Sequence, residues 1–416
     1  MSSFRFLHAA DIHLDSPLRG LSRYEGLPET EIRGSTRRAL DRLVETALNE
    51  KVDFVILAGD LYDGTWQDVG TGLYMLKALS RLVQAGIRVV TLSGNHDAQS
   101  VIARELPLPD GIEHFSYEAP QTFHWPELGV ALHGQSFRDR HVPHDMTRAY
   151  PAPIAGCFNI GVLHTSLSGY GEHETYAPCS VETLSAKGYD YWALGHVHAR
   201  EIVCEHPWIV FPGVLQGRHA RETGACGCAL VSVEDGIVRS VDFVNCDVVR
   251  WCRLELDVSD IQSMDGVLGA ARREMEHALS QAEGRTVVAR IVLTGRSVLH
   301  DRLCASRGWE DDLRGIAVSM AQESADGTAQ IALEKIRNET SAPLRQSGVA
   351  ETRELDLALD GLMQDEAFLA SLPDDFEGFF SALPSCVERD SLIPEGQFPL
   401  EQARAALRAR LLGETE

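Results

Sequence analysis

Asp11 and His13 stand two residues apart at the end of the chain's first apolar run, which leads in through Phe4, Phe6, Leu7, Ala9 and Ala10. On an extended backbone such a pair points to one side, and a carboxylate beside an imidazole makes half of a metal site. Alone, the pair is also what a turn residue followed by a surface histidine looks like. Four further clusters repeat its character: Gly59-Asp60, Gly94-Asn95-His96-Asp97, Leu163-His164-Thr165 and Gly195-His196-Val197-His198. Each fragment is weak, but five of them, each closing an apolar run, form a pattern. The donors are nitrogen and oxygen, with no thiol among them. That mixture suits Mn2+, Fe or Zn2+, and its oxygen share makes Mn2+ reasonable.

The segments that carry these clusters alternate in type. Residues 36–50 place apolar side chains at Ala39, Leu40, Leu43, Val44, Ala47 and Leu48, a helical period. Phe54 to Ala58 is a continuous apolar run stopped by glycine, as in a strand buried on both faces. A second helix is expected at 71–84 and a third strand at 87–92. Further strands are expected at 129–133, 160–163, 189–194 and 208–211, and a hairpin turns at Glu234-Asp235-Gly236 between 225–233 and 237–244. Strand, helix, strand, helix, strand is the signature of an α/β domain with a largely parallel sheet. In such sheets ligands bind beyond the carboxyl ends of the strands, so all the clusters are expected at one edge of one sheet.

The grammar changes near 246–252. Cys252, Leu254, Leu256 and Val258 alternate with charged residues, a helix is expected at 267–283 and a strand at 286–294, and no strand end there carries a ligand cluster. From 351 the chain reads as acidic and helical, with twelve Asp/Glu and two Arg in residues 351–400 and a last helix at 400–412. The expected division is 1–248, an α+β domain at 249–350, and a helical segment at 351–416.

With 416 residues the chain has room for two or three domains. Its 44 % hydrophobic and 24 % charged content is that of a globular protein. No apolar run approaches a membrane span, and Met1-Ser2-Ser3-Phe4-Arg5 leads straight into a strand rather than a signal peptide. Nine scattered cysteines, with no C-x-x-C, read as reduced apolar residues in a cytoplasmic protein rather than a zinc ribbon. A net charge of −23 argues against coating DNA with the whole surface. Arg19, Arg23, Arg33, Arg37, Arg38 and Arg42 cluster locally, either as a basic patch or paired with Glu25, Glu29, Glu31 and Asp41 on a solvated helix face.

The five clusters in this order resemble the calcineurin-like metallophosphoesterase family, and within it the SbcD-type DNA repair exonucleases and their bacterial YhaO-like subgroup. The resemblance covers residues 4–245, and 7–15 (LHAADIHLD) and Gln216-Gly217-Arg218-His219 have the look of that subgroup. It implies a four-layer α/β/β/α sandwich, followed by a small α+β capping domain and a helical C-terminal segment. It further implies two divalent metals, Mn2+ by ligand type. Asp11, His13 and His198 would hold one, Asn95, His164 and His196 the other, with Asp60 bridging. His96 would orient the phosphate and protonate the leaving oxygen, and Asp97, next in sequence, would orient His96. Asp63 stands where many archaeal and eukaryotic relatives carry a histidine, so it is given no phosphate-orienting role.

Arg218 and His219, after the Pro212-Gly213 turn, are candidate phosphate contacts, with a plain surface turn as the alternative. Tyr62 and Trp66 could stack an unpaired base, although packing under the loop is the more ordinary use. The resemblance implies DNA as substrate and an SbcC-like coiled-coil ATPase as partner docking on the 351–416 segment; self-association into a homodimer is a further expectation, and the lack of a long apolar run leads us to expect no membrane. A stand-alone phosphodiesterase or phosphatase for a small nucleotide is the competing expectation, favoured by the net charge. A metal-stabilised scaffold is a third, disfavoured by the complete ligand set.

Overall fold

The computed structural model describes residues 3–16, 32, 34–63, 68–99, 108–167, 176–323, 330–343, 350–375 and 400–411. In chain order the first part forms β1 (Phe4–Ala9), α1 (Ser35–Glu50), β2 (Phe54–Ala58), α2 (Val69–Gln84), β3 (Arg88–Leu92), β4 (Ile112–His114), β5 (Gln121–Trp125), β6 (Val130–Gly134), β7 (Phe158–His164), α3 (Val181–Ala186), β8 (Tyr191–Gly195), β9 (Glu201–Glu205), β10 (Trp208–Phe211), β11 (Gly227–Glu234) and β12 (Ile237–Asn245). These strands make two six-stranded sheets, ordered β12-β11-β1-β2-β3-β4 and β5-β6-β7-β8-β10-β9. In the first, β1 to β4 are parallel and β11 and β12 antiparallel to their neighbours. In the second, β6, β7, β8 and β10 are parallel, with antiparallel edges at β5 and β9.

The layers follow from which faces are apolar. β2 is buried at every position, because one face meets helices and the other meets the second sheet. Its Val55 and Leu57 join Ala39, Leu40, Leu43 and Val44 of α1 and Met75, Leu79 and Leu82 of α2. Its Phe54 and Ile56 join Val130 and Leu132 of β6, Ile160 and Val162 of β7 and Tyr191 of β8 between the sheets. The rings of Phe6 and Phe54 stack there at 4.8 Å, with Tyr191 edge-on to Phe6 at 5.2 Å. Beyond the second sheet, Leu184 of α3 packs with Leu163, Trp192 and Leu194. The result is the expected helix–sheet–sheet–helix sandwich. Local signals bound the helices: α1 ends on Lys51 in the left-handed region (φ 51°), and the Asp68 side chain caps α2 by accepting from Gly70 N at 2.8 Å.

There are two sheets, whereas the sequence pattern alone predicts one. Alternating helices and apolar strands specify parallel pairing but not which strands share a sheet, and the antiparallel edge strands β5 and β9 carry too little apolar pattern to stand out. The arginine pairing also differs. Arg37 forks onto Asp15, which also accepts from Thr71 Oγ1 at 2.6 Å, and Arg42 donates to the Asp247 carbonyl. Arg19, Arg23 and Arg33, with Glu25, Glu29 and Glu31, lie outside the described residues.

His8 on β1 is buried between the sheets, with Nδ1 3.1 Å from Tyr191 Oη and Nε2 3.0 Å from the Leu194 carbonyl. Burial lowers its pKa from 6.5 to about 3. Below pH 6.5 the unfolded chain therefore takes up a proton that the folded chain refuses until about pH 3. Stability is undiminished above pH 6.5 and falls with acid through that window, by up to about 1.4 kcal/mol per pH unit from this one group. In urea titrations of chelator-treated protein between pH 6.5 and 4, His8→Gln should lose less stability with falling pH than wild type, by close to one proton. An unchanged slope would contradict this.

The remaining elements are β13 (Val249–Asp257), α4 (Met264–Gln281), β14 (Thr286–Thr294), α5 (His300–Ala305), α6 (Gly308–Glu323), β15 (Ile331–Asn338), α7 (Ala350–Gln364), α8 (Glu366–Asp375) and α9 (Leu400–Leu411), with β13, β14 and β15 in one three-stranded sheet. The chain forms two compact units, one of 1–253, 278–289 and 320–334, the other of 254–277, 290–319 and 335–416. Within the second, Arg404 of α9 pairs with Asp360 of α7 at 2.7 Å.

Candidate metal centre

Asp11, Asp60 and Asn95 follow β1, β2 and β3 of the first sheet; His164 ends β7, and His196 and His198 follow β8, in the second. The clusters thus meet at the carboxyl ends of strands from both sheets, which corrects the expectation of a single sheet edge. Backbone hydrogen bonds align them: Asp11 N donates to Gly59 O and His13 N to Asp60 O, each at 3.0 Å. Asp11 (φ 52°), His13 (φ 43°), Asp60 (φ 52°) and His196 (φ 95°) all sit in the left-handed region, where non-glycine residues are strained. Two glycines permit the close approach. A Cβ on Gly94 would lie 2.3 Å from Asp60 Oδ1, and one on Gly195 would lie 2.0 Å from the Ala58 carbonyl and 2.8 Å from His164 Nδ1.

Three groups of side chains bring ligand atoms within 4.8 Å of one another: Asp11, His13 and His198; His13, Asp60 and His96; and Asp11, Asp60 and His164. Asp60 Oδ2 is 3.4 Å from His164 Nε2 and 3.8 Å from His13 Nε2, so it reaches toward both sides of the cluster. Asp11 Oδ1 is 3.8 Å from His198 Nε2. His164 Nδ1 lies 3.0 Å from the Ala58 carbonyl, to which it donates, leaving Nε2 to face Asn95 Oδ1 at 2.9 Å. Electron-rich atoms turned on one point require a proton or a cation between them. His196 donates its backbone N–H to Asp11 Oδ2 at 2.9 Å and sets its ring 5.3 Å from that of His164, but it belongs to none of the three groups.

The residues fit divalent metals on an observation independent of sequence. Both ring nitrogens of His13 are buried without a hydrogen-bond partner, a costly state for a side chain with no ligand to hold. Burial, with Arg218 adding to it, lowers the His13 pKa to about 3 and keeps the imidazole neutral, the form that coordinates. Burial pushes Asp11 up, against the pull of His198 and His164. Burial also acts to raise Asp60, but the neighbouring His164 and His13 overcome it and hold this carboxyl well below its usual range. His164 responds in the opposite sense: burial lowers it, Asp60 raises it, and it reaches about 9.

One expectation fails. Asp97 does not orient His96. Its carboxylate accepts from the backbone N–H of Leu61 (3.0 Å), Tyr62 (2.9 Å) and Gly94 (3.1 Å), tying the two loops together. Burial, with Asp60 nearby, raises its pKa to about 7. The residue on His96 is Asp63, whose Oδ1 is 2.9 Å from His96 Nδ1, while Ser16 Oγ donates to its other oxygen at 2.7 Å. Burial alone would lower the His96 pKa, but Asp63 brings it above the ordinary value.

Around this cluster, Arg218 is mostly buried, with Nη2 3.5 Å from His198 Nδ1, so Gln216 to Arg218 is not a plain surface turn. His219 is the exposed member, its side chain 55 % accessible. Tyr62 packs in the core beneath α1 and α2; Trp66 lies outside the described residues. Sequence reasoning passed over Glu222, which is 2.7 Å from His198 Nδ1 and has no motif of its own.

A two-sheet sandwich with this cluster at its strand ends is the architecture of a metal-dependent phosphoesterase, and similarity to known proteins agrees. Residues 4–200 match the calcineurin-like phosphoesterase family, and residues 251–341 match the middle domain of metallophosphoesterase YhaO. The chain is 31 % identical over 387 residues, 91 % of its length and 87 % of the relative's, to a Bacillus subtilis (strain 168) protein described as uncharacterized metallophosphoesterase YhaO. It is 26 % identical over 289 residues to the DNA double-strand break repair protein Mre11 of Methanopyrus kandleri, covering 62 % of this chain and 59 % of that one. Among solved structures, a dimetal phosphatase from Danio rerio aligns with 59 % of the chain and 98 % of its own at 12 % identity and a TM-score of 0.36. The chain belongs to the calcineurin-like metallophosphoesterase family, and so is a metal-dependent hydrolase of phosphoester bonds. Among the described residues no helix is long and apolar enough to cross a membrane.

Proposed function

We propose that the chain is a two-metal phosphodiesterase acting on DNA, a nuclease of SbcD type serving DNA repair in the cytoplasm. What supports this reading most is the convergence of Asp11, His13, Asp60, His164 and His198 on one cluster, with the His96–Asp63 pair at its rim. Asp11, His13 and His198 would hold one divalent ion and Asn95, His164 and His196 the other, with Asp60 shared between them. Two such ions, Mn2+ by the ligand mixture, would neutralise a phosphodiester and make water nucleophilic at neutral pH. Among the chain's own groups, His96 holds a proton at Nε2 for the leaving oxygen while Asp63 keeps Nδ1 engaged. Arg218 orients a non-bridging phosphoryl oxygen, with His219 at the outer side. The buried ligands and the Asp97 tie between the Asp60 and Gly94 loops keep this geometry rigid before substrate arrives.

The reading also takes 249–350 as a capping domain and 351–416 as the docking segment for an SbcC-like coiled-coil ATPase, with self-association as a homodimer. The relative named for double-strand break repair adds weight to DNA as substrate. The net charge of −23 is the one observation on the side of a small nucleotide. Incubation with end-labelled linear DNA and Mn2+ separates them. Degradation by the wild-type chain and none by Asp60→Ala is expected. Release of a chromogenic phosphodiester's dye with DNA left intact, ATPase included, would transfer the assignment to the small substrate.

The ligand assignment has a separate consequence. Asp11→Ala should lower bound Mn2+ from two ions per chain to one, because Asp60, Asn95, His164 and His196 still hold the other. Metal analysis of the dialysed variant checks this, and two tightly held ions with full activity would refute the division.

A further inference from the structure

We propose that Glu222 is a positioning residue that fixes both a metal ligand and a phosphate contact, so that one buried carboxylate sets the affinity of the Asp11–His13–His198 site and the aim of Arg218. The proposal rests on the two-metal reading above, but not on DNA as the substrate. Glu222 is 8 % exposed, and both its oxygens are engaged. Oε1 lies 2.7 Å from His198 Nδ1 and 2.9 Å from Arg218 Nη2; Oε2 accepts from Arg218 N at 2.7 Å and faces Nε at 3.4 Å.

The loop is built to keep Glu222 there. Glu222 N donates to His219 O at 2.9 Å, closing a tight turn. A Cβ on Gly217 would lie 2.6 Å from the Glu222 carbonyl, so only glycine lets the two strands of the turn approach. Trp251 Nε1 holds the Gly217 carbonyl at 2.8 Å, and the buried Gln216 donates to Val249 O at 2.7 Å and accepts from Val248 N at 2.8 Å.

The physical consequence is twofold. A carboxylate on Nδ1 fixes the imidazole's tautomer and turn, leaving Nε2 as the donor on the side of Asp11, and it makes that donor more basic. On its other side it grips Arg218 along the Nε–Nη2 edge, which a lysine could not offer. The guanidinium is thereby held over the cluster, where Asp63 and Asp11 attract it and its charge opposes protonation of His13 and His96. Its Nη1 side then meets a phosphoryl oxygen. A structural role alone, in which Arg218 and Glu222 only staple the loop, would couple to neither a particular metal nor to substrate.

Calorimetric titration of Mn2+ into the chelator-treated full chain tests this, with wild type, Glu222→Gln, His198→Ala and the double variant. Glu222→Gln should weaken one of the two binding events by about 10- to 100-fold and leave the other unchanged. In the His198→Ala background it should add less than about twofold, because the effect travels through His198. Arg218→Ala, an independent arm should Glu222→Gln fail to fold, should raise KM for bis(p-nitrophenyl) phosphate with both Mn2+ events intact. Wild-type affinity at both events in Glu222→Gln, the same loss with and without His198, or an unaltered KM in Arg218→Ala would overturn the proposal. A wild-type chain that binds fewer than two ions would overturn the two-metal reading and this one together, whereas intact DNA beside these results would remove only the DNA assignment.

Discussion

Asp60→Asn is expected to reduce phosphodiester hydrolysis by on the order of a thousandfold or more, and bound Mn2+ from two ions per chain to at most one. Asp60 contributes to two of the three metal-capable groups, is 1 % exposed, and stands between His13 and His164. A shared anion is what allows two divalent ions to sit roughly 3.5–4 Å apart. Asparagine keeps the shape, and its Oδ1 can still accept from His96 N, as Asp60 does at 2.9 Å. The fold and the 94–97 loop should therefore survive, and the loss would be that of one negative charge where two cations would meet. Dye release from bis(p-nitrophenyl) phosphate and metal content measured on the same preparation check both halves. Near-normal rates with two ions bound would be incompatible with a bridging role.

Removing His96 should separate chemistry from metal binding. His96→Gln is expected to keep two Mn2+ ions and slow DNA cleavage by about 10²- to 10⁴-fold, the range for losing a general acid. The penalty should shrink with a p-nitrophenyl ester, whose leaving group departs without a proton. Asp63→Asn gives the accompanying pH signature. Asp63 raises the His96 pKa against burial, so its removal lowers that pKa. An acid works only while protonated, and its activity is lost as pH rises through its pKa; the alkaline limb should thus move to lower pH in Asp63→Asn. A His96→Gln chain that loses metal instead would place His96 among the ligands, a role its proximity to His13 and Asp60 makes the natural competitor.

Much of the site was legible because strand-end ligands announce themselves. An apolar run that stops abruptly in Asp, Asn or His is rare enough that five in order define a cluster, and Asp11, His13, Asp60, Asn95, His164 and His198 converge as that pattern implied. Their grouping across two sheets was not legible from periodicity, since β5 and β9 are partly exposed edge strands and β4 has only three residues. Asp97 misled because adjacency in sequence is not adjacency in space. It begins a short 3₁₀ turn (Asp97–Gln99) that swings its carboxylate back onto backbone amides, while Asp63, 33 positions before His96, reaches the imidazole. Glu222 was invisible for the same reason: its tie to His198 spans 24 positions and depends on how a glycine turn folds.

The central claim is that this cluster is a two-ion catalytic centre. The most direct measurement is the rate of bis(p-nitrophenyl) phosphate hydrolysis by the chelator-treated wild-type chain as Mn2+ is returned, with bound metal counted in each sample. The account predicts negligible turnover without metal, a steep rise as the second ion binds, and a plateau at two ions per chain. Full turnover at one bound ion, or hydrolysis that persists in the chelator-treated protein, would contradict it.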